Sequence, residues 1–226
     1  MKKIVSFGDS FIFGTELLNN TDGHQAWPGL VAKKLGYEYH TNAVAGCGND
    51  HVARQIYSWF ANNSTKDTLA VINWTWLFRW DFYIVEHETW ITLGPTCVPE
   101  TLKNLVERTQ AEDIVKFYKH RANSSIRWNK FRNLQTIWSV QQYMKQKGIQ
   151  SVQTYMDYEL SNRLTHAPDY IQELQDLVEP ELQLFDEKNF VDWSHKNGYA
   201  VTIEGMHPLE QAHQAAAKYW EDVYKI

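Results

Sequence analysis

Short apolar runs alternate with amphipathic stretches through the first third of the chain. Lys3 to Phe7 is an apolar run that stops at Gly8, which predicts a buried strand. Trp27 to Leu35 carries helical periodicity and is stopped by Gly36. Tyr37 to Asn42 predicts a second strand, followed by the tight loop Ala45-Gly46-Cys47-Gly48. Asn49 or Asp50 then caps a helix, because Val52, Ile56, Trp59 and Phe60 recur at helical spacing. Thr68 to Asn73 predicts a third strand. The order β-α-β-α-β is the pattern of a parallel sheet covered by helices.

The middle of the chain is less regular. Trp74 to about Arg127 reads as a long insertion, rich in aromatic residues, with Pro99 to His120 expected to be helical. Asn129 to Lys147 predicts a strong helix: Phe131, Leu134, Trp138 and Gln141 share one side, and Gly148 ends it. Ile149 to Tyr155 predicts a fourth strand. The stretch 156–200 has no clear period, and Leu182 to Phe185 fits either a short strand or part of a helix. Pro208 to Tyr224 predicts a final helix with Leu209, Ala212, Ala216, Trp220 and Val223 as its buried stripe. No repeat, low-complexity stretch or linker interrupts the pattern, so one domain over 1–226 is expected, with an insertion at about 77–127.

Composition narrows the function classes. The chain has 226 residues, 43% hydrophobic and 22% charged, which excludes disorder and collagen-like structure. A net charge of −5 gives no electrostatic footprint for nucleic acid and argues against docking on anionic lipid. The start Met1-Lys2-Lys3 lacks the apolar stretch of about 7–15 residues that a signal peptide needs. No run approaches the roughly 18 apolar residues of a membrane span. A cytoplasmic location is therefore expected, with no membrane partner. Cys47 and Cys97 are expected to be free buried thiols, and the nine histidines show no metal-ligand spacing, so no metal or other cofactor is expected.

Three short motifs could carry chemistry, and each has a plainer structural reading. Phe7-Gly8-Asp9-Ser10 follows the first strand, where an open parallel sheet presents residues to ligands. Taken alone, it reads better as a strand-to-helix turn with a capping residue. Ile203-Glu204-Gly205-Met206-His207-Pro208 places a carboxylate three residues before a histidine at the start of the final helix. Such a pair can serve as a base and its orienting acid, or simply form a solvated loop. Asn42 to Asn49 follows the second strand and contains Gly46 and Gly48, whose backbone N–H groups can face an anion.

Together the three motifs resemble the SGNH, or GDSL, hydrolase superfamily. Gly8-Asp9-Ser10 is similar to its first block, Gly46 or Gly48 to the glycine of its second, and Glu204-x-x-His207-Pro208 to its last, normally Asp-x-x-His-Pro. The match covers 3–73 and 203–224 and looks most like small members seen in phages and marine bacteria. The resemblance implies a three-layer α/β/α sandwich, flavodoxin-like, with a parallel sheet of about five strands. It also implies ester hydrolysis with Ser10 as nucleophile, His207 as base and Glu204 as orienting acid. The oxyanion hole would use the N–H groups of Ser10 and of Gly46 or Gly48. The family's third block is Gly-x-Asn-Asp. Here Asn73-Trp74-Thr75-Trp76 takes its place, so that Asn73 stands for the glycine and Thr75 for the donor asparagine.

The expected substrate is a small-molecule or glycan ester with a short acyl group, and the aromatic insertion suggests a carbohydrate O-acetyl ester. Trp74, Trp76 and Trp80 follow the third strand and are expected either to pack in the core or to form a stacking wall for substrate. The rival readings are a non-catalytic glycan-binding or structural module of the same fold, and a lipid esterase or thioesterase. Asp192-x-x-His195 is a second acid–histidine pair, but no Pro and helix follow it. His213 is expected to be a packed or half-exposed side chain of the last helix. His87-Glu88-Thr89-Trp90-Ile91 has Ile91 where a metalloprotease motif needs its second histidine.

Overall fold

The computed structural model of the chain describes residues 2–204 and 206–224, with Tyr224 described by its backbone alone. Four parallel strands form its central sheet: β1 (Lys3–Phe7), β2 (Glu38–Thr41), β3 (Thr68–Trp74) and β6 (Gln150–Tyr155), in the order β2-β1-β3-β6. The expected count was about five. Leu182 makes a single parallel bridge to Gln153 at the β6 edge, the place a fifth strand would occupy. Because all four strands run the same way, the segments that follow them lie along one edge of the sheet.

Helices cover both faces. On one side, α3 (Asn49–Asn62) and α5 (Ile126–Lys147) pack on Val5, Phe7, Ala70, Ile72 and Trp74. On the other, α2 (Trp27–Leu35) and α8 (Glu210–Tyr224) pack on Ile4, Val71 and Val152. Adjacent strand residues thus point into different layers, as a pleated strand covered on both faces requires. The architecture is the expected three-layer α/β/α sandwich. Among the described residues, no helix is long and apolar enough to cross a membrane.

Local signals set most boundaries. Gly36 and Gly148 end α2 and α5 in the left-handed conformation, and each N–H returns to a carbonyl of the last turn. Two differences have physical causes. Pro208 lies outside the final helix, because it pairs with Val201 in an isolated antiparallel bridge. The final helix starts two residues later. The Pro99–His120 stretch is also broken, into a 3₁₀ turn at Pro99–Leu102 and α4 (Arg108–Phe117), followed by a π-helical segment at Tyr118–Ala122.

The insertion also holds a hairpin that helical or strand periodicity did not reveal. It consists of β4 (Trp80–Ile84) and β5 (Thr89–Leu93), paired antiparallel, with Glu88 in the left-handed conformation in the turn. Leu93, Cys97, Leu102, Val115 and Tyr118 form a separate small core beneath it. The remaining helices, α6 (Asp169–Val178) and α7 (Phe190–Lys196), occupy the stretch without a clear period. Cys47 and Cys97 are both free and buried.

Candidate active site

The carboxyl edge of the sheet gathers the segments after β1, β2 and β3. Phe7 ends β1 deep in the core, and Gly8 follows with φ +146°. A Cβ on Gly8 would come within 2.7 Å of the Asn73 carbonyl on the neighbouring strand, so only glycine permits this approach. Asp9 then caps α1 (Ser10–Phe13), its carboxylate accepting the Phe11 N–H at 3.2 Å. Ser10 therefore sits at the end of a strand whose backbone is locked by two short-range constraints.

His207 reaches Ser10 from the far end of the chain. Its Nε2 lies 2.8 Å from Ser10 Oγ. The loop that delivers it is pinned by hydrogen bonds. The His207 N–H donates to Thr202 Oγ1, while the Thr202 N–H donates to the His207 carbonyl. The Met206 N–H donates to the Thr202 carbonyl. The Phe11 ring lies against the imidazole at 4.6 Å between centroids. Burial is the main cause that holds the His207 pKa below its ordinary value. Glu16 and Asp9 pull it upward, and Arg79 pushes it down.

Glu204 does not join them. It is exposed at the tip of the same loop and makes no hydrogen bond or ion pair among the described residues. The Met206-to-Thr202 bond closes the loop into a turn with Ile203 almost fully exposed, which directs this tip to solvent while the His207 ring turns inward. The nearby carboxylate is instead Glu16, whose Oε1 is 3.6 Å from His207 Nδ1.

The segment after β3 also differs from expectation. Thr75 is fully buried, and its hydroxyl donates to the Cys47 carbonyl while accepting from the Trp76 N–H and from Arg79. Its proton is already used, so it is not a free donor facing Ser10. Asn73 is buried as well, its amide donating to Asp9 and its oxygen accepting from Thr154. Both side chains brace the site from below. The Asn49 side chain clamps the Thr75 backbone, accepting its N–H at 2.7 Å and donating to its carbonyl at 3.1 Å.

Arg79 is the residue that the sequence reading missed. Its Nη1 donates to Asp9 at 2.9 Å, to the Cys47 carbonyl at 3.0 Å and to Thr75 Oγ1 at 2.6 Å. One guanidinium nitrogen thus ties the segments after β1, β2 and β3 together. A charged residue between Phe78 and Trp80, inside an aromatic run, was the available signal, since such a charge is buried only with a partner. The second loop is fixed too: the Val44 N–H and the Cys47 thiol both donate to the Gly8 carbonyl. Burial pushes the Cys47 thiol upward, so it stays a neutral donor. Gly46 lies exposed in this loop with φ +78°, and Gly48 is buried at the start of α3.

The three tryptophans separate. Trp74 is fully buried with its Nε1 donating to Gln153, so it belongs to the core and not to a surface wall. Trp80 packs in the hairpin, donating to Asn129 and lying 4.4 Å from the Arg132 guanidinium. Trp76 is partly exposed and lines a cleft of about 300 Å³ with Phe11, Tyr158 and Met206. Phe11 and Met206, the chain neighbours of Ser10 and His207, form part of its lining, although Ser10 and His207 themselves do not. Asp192 and Glu204 line the cleft as well, whereas His195 is exposed at the end of α7. His213 is buried, accepts the Trp27 N–H at 3.1 Å and is pushed down to about 3 by burial, so it is a neutral support for the start of α2.

No protein-family model matches the chain, and no curated protein does. Solved structures match along the whole length. A member of the lipolytic protein G-D-S-L family from Veillonella parvula is 12% identical with a TM-score of 0.52, covering 100% of this chain and 99% of that one. The psychrotrophic esterase EstA from Pseudoalteromonas sp. is 10% identical with a TM-score of 0.54, covering 100% and 97%. At such identities the likeness concerns the fold. The strand order, the position of Gly8-Asp9-Ser10 and these full-length matches agree: the chain carries the SGNH/GDSL hydrolase fold.

Proposed function

We propose that the chain is a serine esterase acting on short acyl esters. The observation that carries this reading is the hydrogen bond between Ser10 Oγ and His207 Nε2, two residues 197 apart in sequence. A serine activated by a neighbouring imidazole is a nucleophile for carbonyl carbon. In the reaction, Ser10 Oγ attacks the ester carbonyl and gives its proton to His207 Nε2. The tetrahedral intermediate collapses as His207 returns that proton to the departing alcohol. Water then repeats the sequence on the acyl-enzyme, releasing the acid and restoring the serine. The lowered His207 pKa suits this role, because the imidazole is neutral and ready to accept a proton at pH 7. The N–H groups of Ser10 and of the Gly46–Gly48 loop are the proposed oxyanion donors, with Thr75 and Asn73 bracing that loop and Asp9 from behind.

The cleft supports a small, neutral substrate. Its volume, about 300 Å³, is at the small end for ligand sites. Trp76 and Tyr158 offer flat faces for a sugar ring, and Glu159, Asp192 and Glu204 supply acceptors while repelling anionic esters. A carbohydrate O-acetyl ester fits this chemistry better than a fatty acyl chain. The test is hydrolysis of p-nitrophenyl acetate, p-nitrophenyl octanoate and an acetylated sugar. The acetate and the acetylated sugar should be turned over faster than the octanoate. Ser10→Ala should lower all rates by about 10⁵-fold or more. Wild-type inertness toward every ester would favour a non-catalytic binding module, and preference for octanoate would favour the lipid-esterase reading.

A further inference from the structure

One short segment grips His207 on three sides. Ser10 bonds Nε2, and Phe11 lies against the ring face. Glu16 stands at ion-pair distance from Nδ1. Nδ1 itself is buried and has no hydrogen-bond partner. A buried ring nitrogen without a partner is costly, and it leaves the tautomer of the base undefined. We propose that Glu16 is the positioning acid of this site, its carboxylate holding the imidazole with the proton on Nδ1 so that Nε2 faces Ser10 as an acceptor. This rests on the esterase reading above and replaces Glu204 in the role that the family pattern gave it.

The local fold explains why Glu16 is available. α1 ends after one turn at Gly14, whose left-handed conformation (φ 75°) returns its N–H to the Ser10 carbonyl. The Thr15 N–H donates to the same carbonyl, and Leu17 is buried, so Glu16 lies between two anchored neighbours. The Leu18 N–H donates to the Glu210 carboxylate, which ties this turn to the start of α8, three residues beyond His207. The turn and the histidine therefore share one anchor. At 3.6 Å the contact is longer than a direct hydrogen bond, and a movement of about 1 Å would complete it. Bonds of this kind commonly tighten when substrate is bound.

The groups facing His207 from each packed element are Glu16 and Asp9 from the segment after β1, Arg79 from the segment after β3, and His213 from α8. Glu16 leads the charges that raise the His207 pKa, and Arg79 opposes it. Removing the Glu16 charge must therefore lower that pKa. When Ser10 gives up its proton the ring becomes an imidazolium, and the Glu16 carboxyl group stands beside its Nδ1.

The test is an NMR titration of the His207 ring in wild type, Glu16→Gln, Glu16→Asp and Glu204→Gln, paired with pH profiles of kcat/KM. Glu16→Gln should move the His207 midpoint to lower pH and shift the acid limb of kcat/KM with it, while kcat/KM falls by about 10–10³-fold. Glu16→Asp should recover part of both effects, and Glu204→Gln should leave the His207 midpoint in place. A midpoint unmoved by Glu16→Gln, or moved as far by Glu204→Gln, overturns the assignment. So does a rate loss in Glu16→Gln with no movement of the midpoint. If the wild type hydrolyses no ester, the esterase reading fails while the titration still reads whether Glu16 governs His207.

Discussion

His207→Ala is expected to lower kcat/KM for a short ester by about 10⁵–10⁶-fold with the fold intact, because a nucleophile and its base act as one unit. The imidazole is half-buried at the carboxyl edge, and its only hydrogen bond through the ring among the described residues goes to Ser10 Oγ. Truncation removes the proton acceptor and leaves the serine as a weakly nucleophilic alcohol. The backbone bonds to Thr202 use main-chain atoms of residue 207 and survive the change. The wild type should show the matching pH dependence. Burial, the leading cause, lowers the His207 pKa. The base works as the neutral ring, so activity is lost as pH falls through that lowered value. The acid limb of kcat/KM should therefore lie below pH 6.5, the ordinary histidine value of about 6.5. Urea denaturation of the variant near the wild-type midpoint checks that the loss is chemical. A loss smaller than about 10²-fold would remove His207 from the role of base.

Arg79→Met carries the second large effect, and this one acts on stability. The Arg79 side chain is mostly enclosed and pairs with the fully buried Asp9 carboxylate. Methionine keeps the apolar bulk of the stem but removes the charge. Among the described residues, Asp9 then keeps only the Phe11 N–H and the Asn73 amide, and the Cys47 carbonyl and Thr75 hydroxyl each lose a donor. Breaking a buried pair by removing one partner costs about 3–5 kcal/mol. Set against a typical domain stability of about 5–15 kcal/mol, that is a large fraction. Equilibrium unfolding in urea should show the loss. Activity should fall with it, since Asp9 caps the helix that presents Ser10. A cost under about 1 kcal/mol would mean that Arg79 behaves as a surface ion pair.

The parts of the fold and site legible in the sequence are those fixed by local chemistry. The β1 run ending at Gly8, the glycine stops at Gly36 and Gly148, and the strand at Thr68–Trp74 all follow from apolar runs and backbone constraints. The Gly8-Asp9-Ser10 turn and the loop before the last helix were visible for the same reason, and the structure brings Ser10 and His207 within hydrogen-bond distance.

What stayed hidden depends on contacts between distant segments. The Trp80–Ile84 and Thr89–Leu93 hairpin buries its residues only partly, against a small core that no single stretch announces. Arg79 matters through three partners on three loops, none of them near it in a sequence pattern except Thr75. Glu16 lies six residues after Ser10 on an exposed turn, where no periodicity distinguishes it from a solvated carboxylate. Thr75 illustrates the same limit. Its position after β3 could be read, but the direction of its hydroxyl depends on the Cys47 carbonyl, which arrives from the loop after β2.

The central claim is that Ser10 is a nucleophile activated by His207. The most direct measurement is mass spectrometry of the protein after reaction with a fluorophosphonate, with the modified peptide sequenced. The phosphonate should lie on Ser10 in the wild type, be absent from Ser10→Ala, and form far more slowly in His207→Ala. A wild-type protein that takes up no phosphonate, or carries it on another residue, would contradict the account.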